Sequence, residues 1–195
     1  LRAQSSRAHR QRERLVQKGM LLPPMPSRRR SPGEVWGIAM VKNEIDVLPS
    51  VIQHMFEQGI DRILVADNGS TDGTLEYLKG LADGLQFHVA IDSEPGYYQS
   101  AKMTRLARAA WRSGADWIIP FDADEFWFGD RETLAEGVRH IDGDVVSARI
   151  YNVFPRRSGD WGMDVSPQLH GKVAFRSHRL ALLGMGNHDV DRPGR

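Results

Sequence analysis

The sequence has 195 residues, 41% hydrophobic and 26% charged, the make-up of one ordinary globular domain, which excludes a disordered or fibrous chain. Cysteine is absent, which excludes a disulfide scaffold, a thiolate zinc site and a cysteine nucleophile. The net charge of +1 conceals an asymmetry: residues 1–33 hold nine Lys/Arg against the single acid Glu13, whereas residues 34–195 hold seventeen against twenty-four acids.

The basic segment, residues 1–33, reads as an arm. Its first half, through Lys18, has the composition of a basic helix with a thin apolar stripe of Leu15, Val16 and Met20. Its second half carries Pro23, Pro24, Pro26 and Pro32 around Arg28-Arg29-Arg30 and reads as a flexible linker. Such an arm docks on its own acidic body or a sister chain, or attaches to an anionic membrane or partner. It carries no base-stacking aromatics, so nucleic acid is not expected. No apolar run approaches the roughly 20 residues of a membrane span, and no secretory pattern is read. The expected location is cytoplasmic, peripheral to a membrane at most. Leu1 rather than methionine opens the sequence, so a longer parent chain is expected.

From Glu34 onward strands and helices alternate. Val35–Val41 is a short apolar run, predicted as a buried strand. Residues 45–58 have helical spacing and stop at Gly59. Strands follow at 62–66, 85–91 and 117–121, with helices at 74–81 and 98–113 between them. Beyond Glu125 a helix is predicted at 131–140 and strands at 145–151 and 172–176, with a loop over 154–168. The alternation predicts a parallel sheet with helices on both faces, whose ligands bind beyond the carboxyl ends of the strands.

Three polar clusters fall on that edge. Asp122-Ala123-Asp124-Glu125 ends an apolar strand with two carboxylates two residues apart. Side by side they repel unless a cation joins them, and Mg²⁺ or Mn²⁺ uses one or two carboxylates plus substrate phosphates. The competing reading is a helix start capped by Asp124. In Asp67-Asn68-Gly69-Ser70-Thr71-Asp72-Gly73, turn and cap chemistry explains most positions, but Asp67 ends the strand and is suited to accept from a nucleobase or ribose, with Asn68 beside it. Lys42-Asn43-Glu44, directly after the first strand, is placed to line the same nucleotide pocket, although Asn43 also suits a helix cap. Lys102 and Arg105, one helical turn apart, are candidates to meet phosphates or the carboxylates of this edge, or to form an outward basic pair. Gly184-Met185-Gly186-Asn187-His188-Asp189 offers His188 as a third metal ligand, against the ordinary role of a surface histidine.

Met40 to Glu44, Asp67 to Gly73 and Trp117 to Phe126, in this order and spacing, resemble the family 2 glycosyltransferases, in the branch with Lys-Asn-Glu and Asp-x-Asp-Glu-Phe motifs. The resemblance covers about residues 35–190. It implies an α/β GT-A fold with a Rossmann-like nucleotide-binding half (34–126) and a smaller acceptor-side half (127–195), here short. It implies metal-dependent transfer of a sugar from a nucleoside-diphosphate donor, UDP- or GDP-linked, to an acceptor hydroxyl. By motif position Glu44 and Asp67 would face the base and ribose, Asp122 the ribose or metal, and Asp124 the metal, with His188 completing its shell. Lys172 sits where related sequences carry a basic residue. The catalytic base of inverting members lies in the acceptor half, where Asp160, Asp164 and Asp189 are candidates. The alternatives are a haloacid-dehalogenase-type phosphatase, which also places Asp-x-Asp after a strand, and a non-catalytic nucleotide-binding protein with a basic tether.

Overall fold

The computed structural model describes residues 7–82, 85–184 and 187–191. The first six residues of the basic arm and Met185-Gly186 of the histidine motif lie outside the described residues. The chain begins with α1 (Arg7–Gly19) and β1 (Met20–Leu21). It then alternates through β2 (Val35–Val41), α2 (Leu48–Glu57), β3 (Arg62–Asp67), α3 (Thr74–Leu81), β4 (Phe87–Asp92), α4 (Gln99–Arg112) and β5 (Trp117–Pro120). After α5 (Leu134–His140) come β6 (Val145–Ala148), β7 (Val153–Pro155), β8 (Trp161–Met163), β9 (Lys172–Arg176), β10 (Leu182–Gly184) and β11 (Asp189–Asp191).

One seven-stranded sheet runs β1-β4-β3-β2-β5-β9-β6. Strands β2 to β5 are mutually parallel, while β1, β9 and β6 each pair antiparallel with their neighbours. Alternation along the strands sorts the core into two layers. Val35, Ala39, Val41, Ile63, Val65, Ile119 and Phe121 pack beneath α2 and α5. Trp36, Ile38, Leu64, Ala66 and Ile118 pack beneath α4 and α1. The chain moves from β2 outward through β3 to β4, then crosses back along α4 to β5 on the other side of β2. Loops after β2 and β5 therefore diverge, and the crevice between them at the carboxyl edge is where such sheets bind ligands.

The basic segment forms the expected helix and docks on the acidic body, one of the outcomes its charge suggested, and only its second half departs from the expected flexible linker. α1 is built from strong helix formers and ends at Gly19, where a Cβ would come within 2.7 Å of the Glu94 Cβ. Val16 and Met20 are buried under α4, and β1 adds an antiparallel strand to the edge of β4. Farther on, the Arg28 and Ser31 amides donate to Arg112 O and Gly114 O, both at 2.9 Å. Arg28 and Arg62 converge on Glu34, and Arg30 and Arg176 on Asp116. The prolines suppress regular structure, but the acidic body answers the arginines and fixes the segment to it.

The loop expected over 154–168 instead contains a hairpin, β7–β8, turned at Gly159 with φ +88°. Within the basic segment, Met20→Ala is expected to lower stability by about 2–3 kcal/mol, because the side chain is core rather than tail. Denaturant unfolding measures this; an unchanged midpoint would mean that α1 and β1 are detached in solution.

Candidate active site

The loops after β2 and β3 are laced together by side-chain-to-backbone bonds. Asn43 sits at φ +57°, a left-handed conformation that asparagine tolerates. Its amide donates to Ser70 Oγ at 2.9 Å, and its Oδ1 accepts from the Thr71 amide at 2.8 Å. The Glu44 amide donates to Thr74 Oγ1 at 2.9 Å, and Asp72 Oδ1 receives both the amide and the hydroxyl of Thr74. Asn43 thus braces the loop and does not cap α2, whose N-cap is Val47. Lys42 beside it is exposed.

Asp67, at the end of β3, is buried. Its Oδ2 accepts from the Gly69 and Ser70 amides at 3.0 and 3.1 Å, while its Oδ1 is buried without a hydrogen-bond partner. Asn68 is a second brace: its amide nitrogen donates to Asp92 Oδ2 at 3.0 Å and to Glu94 O at 2.9 Å. Asp92 in turn lies 2.6 Å from Lys102 Nζ, with both side chains fully buried. Lys102 therefore meets a carboxylate of this edge, and its charge is spent inside the fold instead of on phosphate. Arg105 departs from the site altogether, donating to Met20 O at 3.0 Å between α1 and α4. The Asp92 partnership escaped the sequence reading because the predicted strand stopped one residue short of it.

The Asp122–Glu125 segment forms a turn, not a helix start: the Glu125 amide donates to Asp122 O at 3.1 Å, and the next helix begins only at Leu134. Lys172, buried at the start of β9, places Nζ 2.5 Å from Asp122 Oδ2 and 3.0 Å from Glu125 Oε1. The Asn187 side-chain amide donates to Asp122 Oδ1 at 3.2 Å. Both Asp122 oxygens are thus engaged, which opposes the nucleophilic role that the phosphatase alternative requires. Burial works against the charge on Lys172, but its hydrogen bond to Asp122 and the two carboxylate charges outweigh this and raise its pKa. Glu125 is pushed up by burial and then by Asp122, with Lys172 opposing.

Asp124 is exposed and has no ion-pair or hydrogen-bond partner among the described residues. Glu44 senses it across the crevice: burial, then the charges of Asp124, Asp46, Asp72 and Asp122, raise the Glu44 carboxyl above its ordinary 4.5. His188 Nδ1 lies 2.7 Å from Gly171 O. A carbonyl can only accept, so Nδ1 carries the hydrogen, which in the neutral ring leaves the lone pair on Nε2. Among the described residues no three His, Asp or Glu side chains gather closely enough to hold a metal ion. The predicted set of Asp122, Asp124 and His188 is therefore not assembled as a protein cage.

The three candidate bases are scattered. Asp160 is exposed at the tip of the β7–β8 hairpin, and Asp164 Oδ2 accepts from the Asn152 side chain at 2.7 Å beside the same hairpin. Asp189 opens β11, exposed, on the segment whose Asn187 touches Asp122.

Two outcomes follow from these electrostatics. Lys172→Met strands two carboxylates and is expected to cost about 2–3 kcal/mol, below the loss for a fully buried pair because Asp122 is 36% exposed; unfolding at neutral pH measures it. For Glu44, the folded chain holds the proton more tightly than the unfolded chain. The group therefore lowers stability as pH rises from the ordinary value of 4.5 through the raised one. Glu44→Gln should flatten that decline in midpoints measured across the acidic range, and an unchanged slope would contradict the placement.

Over 119 residues the chain is 29% identical to glycosyltransferase AglJ of Haloferax volcanii, covering 58% of this chain and 37% of AglJ. A crystal structure of S. aureus TarS (residues 1–349) superposes with a TM-score of 0.52 at 15% identity, covering 73% of this chain and 47% of that one. The present chain thus spans less than half of either relative. The likeness to TarS is one of fold, and the GT-A arrangement expected from the motifs is the one observed. No helix among the described residues is long and apolar enough to cross a membrane. The model of glycosyl transferase family 2 matches residues 38–190, from the middle of β2 into β11, so the chain belongs to that family.

Proposed function

We propose that the protein transfers a sugar from a nucleoside-diphosphate donor, UDP- or GDP-linked, to an acceptor hydroxyl. The observation that carries this reading is Asp67. One of its oxygens fixes the turn after β3, and the other is a buried acceptor without a donor, at the strand end where α/β sheets hold nucleosides. A nucleobase N–H or ribose O–H would satisfy it. Glu44, whose carboxyl is raised above its ordinary value by burial and neighbouring acids, stands on the facing loop as a further polar group for the donor.

The residues fit a divalent cation of a particular kind. Mg²⁺ or Mn²⁺ is commonly bound through one or two carboxylates, with phosphates and water supplying the rest. Asp124, exposed, unpartnered and repelled by its neighbours, suits that mode, with His188 Nε2 as a second protein group. Such an ion would stabilise charge on the diphosphate as a Lewis acid. Asp122, neutralised by Lys172, positions the turn that presents Asp124. In the transfer, the bond from the anomeric carbon to the diphosphate oxygen breaks and a bond to the acceptor oxygen forms. The acceptor proton passes to a carboxylate if configuration inverts. Of Asp160, Asp164 and Asp189, only Asp189 rides on the segment that reaches the site, and we assign it that role.

Asp124→Ala is expected to reduce donor turnover by about 100-fold or more with an unchanged unfolding midpoint, since the side chain is exposed. Nucleotide release from UDP- and GDP-sugars measures this, and chelator should reproduce it in the parent chain. Full turnover in either case would overturn the reading.

A further inference from the structure

On the sheet face opposite α2, α1 and α4 do not close completely. Between them lies a cavity of about 340 Å³, within the range of roughly 300–1,000 Å³ typical of small-ligand sites. Its walls include Arg105, Arg108, Trp111 and Arg112 of α4, Glu13 of α1, and Arg179 from the segment after β9. Arg108, Trp111 and Arg112 occupy the second half of α4, which leads into the start of β5, whereas the Asp122–Glu125 turn follows that strand's far end. The cavity therefore stands apart from the acidic edge.

Four guanidinium groups share this space with one lining carboxylate. Arg108 lies 3.4 Å from Glu13 Oε1 and donates Nε–H to Ala181 O at 3.2 Å. Arg105 donates to Met20 O, but its Nε is buried without a hydrogen-bond partner. Burial, then the nearby charge of Arg112, lowers the Arg105 pKa, a sign of how crowded the positive charge is. The side chains of Arg112 and Arg179 have no ion-pair or hydrogen-bond partner among the described residues. The buried, unmet Nε–H of Arg105 and the crowding of four positive charges each cost free energy, and an anion entering the cavity would offset the repulsion. Guanidinium forks match the oxygens of a phosphate, and Trp111 offers an apolar wall to whatever the phosphate esterifies.

We propose that the α1–α4 cavity binds a phosphate-bearing ligand through Arg105, Arg108, Arg112 and Arg179. This site goes beyond the donor site and does not depend on it. A soluble phosphate ester and the headgroup of an anionic lipid present the same chemistry, and the test separates them.

The full chain is melted with inorganic phosphate or pyrophosphate at fixed ionic strength, with chelator present to silence cation-dependent binding at the acidic edge. The melting temperature should rise by about 3 °C at roughly ten times the dissociation constant. The double variant Arg112→Ala/Arg179→Ala, changed only at exposed positions, should lose this rise without melting lower in its absence. Asp124→Ala should keep it. In parallel, sedimentation with phosphatidylcholine vesicles, with and without phosphatidic acid, identifies a lipid source if only the acidic vesicles carry down the parent chain and the double variant stays behind. Phosphate stabilisation or acidic-vesicle binding that requires Arg112 and Arg179 supports the site. The proposal is overturned if the parent chain shows neither effect, if the double variant retains the effect undiminished, or if the phosphate effect disappears in Asp124→Ala.

Discussion

One buried ammonium group governs the carboxyl edge of the sheet. Without Lys172, the turn after β5 would hold Asp122 and Glu125 side by side, with Asp124 and Glu44 close by, and mutual repulsion would drive the loops apart or force protons onto them. Sheet geometry explains how a residue fifty positions away reaches this turn. β9 runs antiparallel to β5, pairing Arg176 with Trp117 and Phe175 with Ile118. Continuing that register brings Lys172, at the start of β9, level with the end of β5. A parallel strand in the same place would have delivered its opposite end.

The motif residues divide into those that build the edge and those left over for chemistry. Asn43, Asn68, Ser70, Asp72 and Thr74 satisfy backbone and carboxylate groups of neighbouring loops. Asp92 and Lys102 do the same from within, as a pair wholly removed from water, a costly arrangement unless the remaining donors are also satisfied. Lys102 meets that condition in part by a further bond to Glu94 O at 2.8 Å. Among the described residues, the groups of these loops left without an ion-pair or hydrogen-bond partner include the second oxygen of Asp67, the carboxylates of Glu44 and Asp124, and Oδ1 of Asn187. Polar residues outnumber reactive ones here because loops that converge at a sheet edge have many orphaned backbone groups to satisfy.

The parallel half of the fold was legible because its strands are buried on both faces and its helices keep one apolar stripe; β2 and α3 fall where periodicity puts them, as does the antiparallel β9 beyond it. α2 begins three residues later than its spacing suggests, since Glu44 O accepts from the Val47 and Leu48 amides in a preceding turn. Docking of the basic segment on the acidic body was among the sequence expectations, but its partners were hidden, because composition cannot reveal which distant acids answer its arginines. The separate destinations of Lys102 and Arg105 were equally hidden. They share a helix, yet one turn of α4 carries the first to the strand ends and the second toward α1. Lys172 stood out only through resemblance, because its partners are set by strand order rather than by sequence distance.

β1 contributes two residues to the sheet, Met20 and Leu21 opposite Asp92 and Ile91. Its position matters more than its length. β4 would otherwise be the outermost strand on that side, offering unpaired amides and carbonyls to any extended chain it met. With α1 leading directly into it, the short strand occupies the edge of β4 at its last two residues. A segment whose composition suggests a tether thereby blunts part of the sheet's rim against pairing with an extended chain.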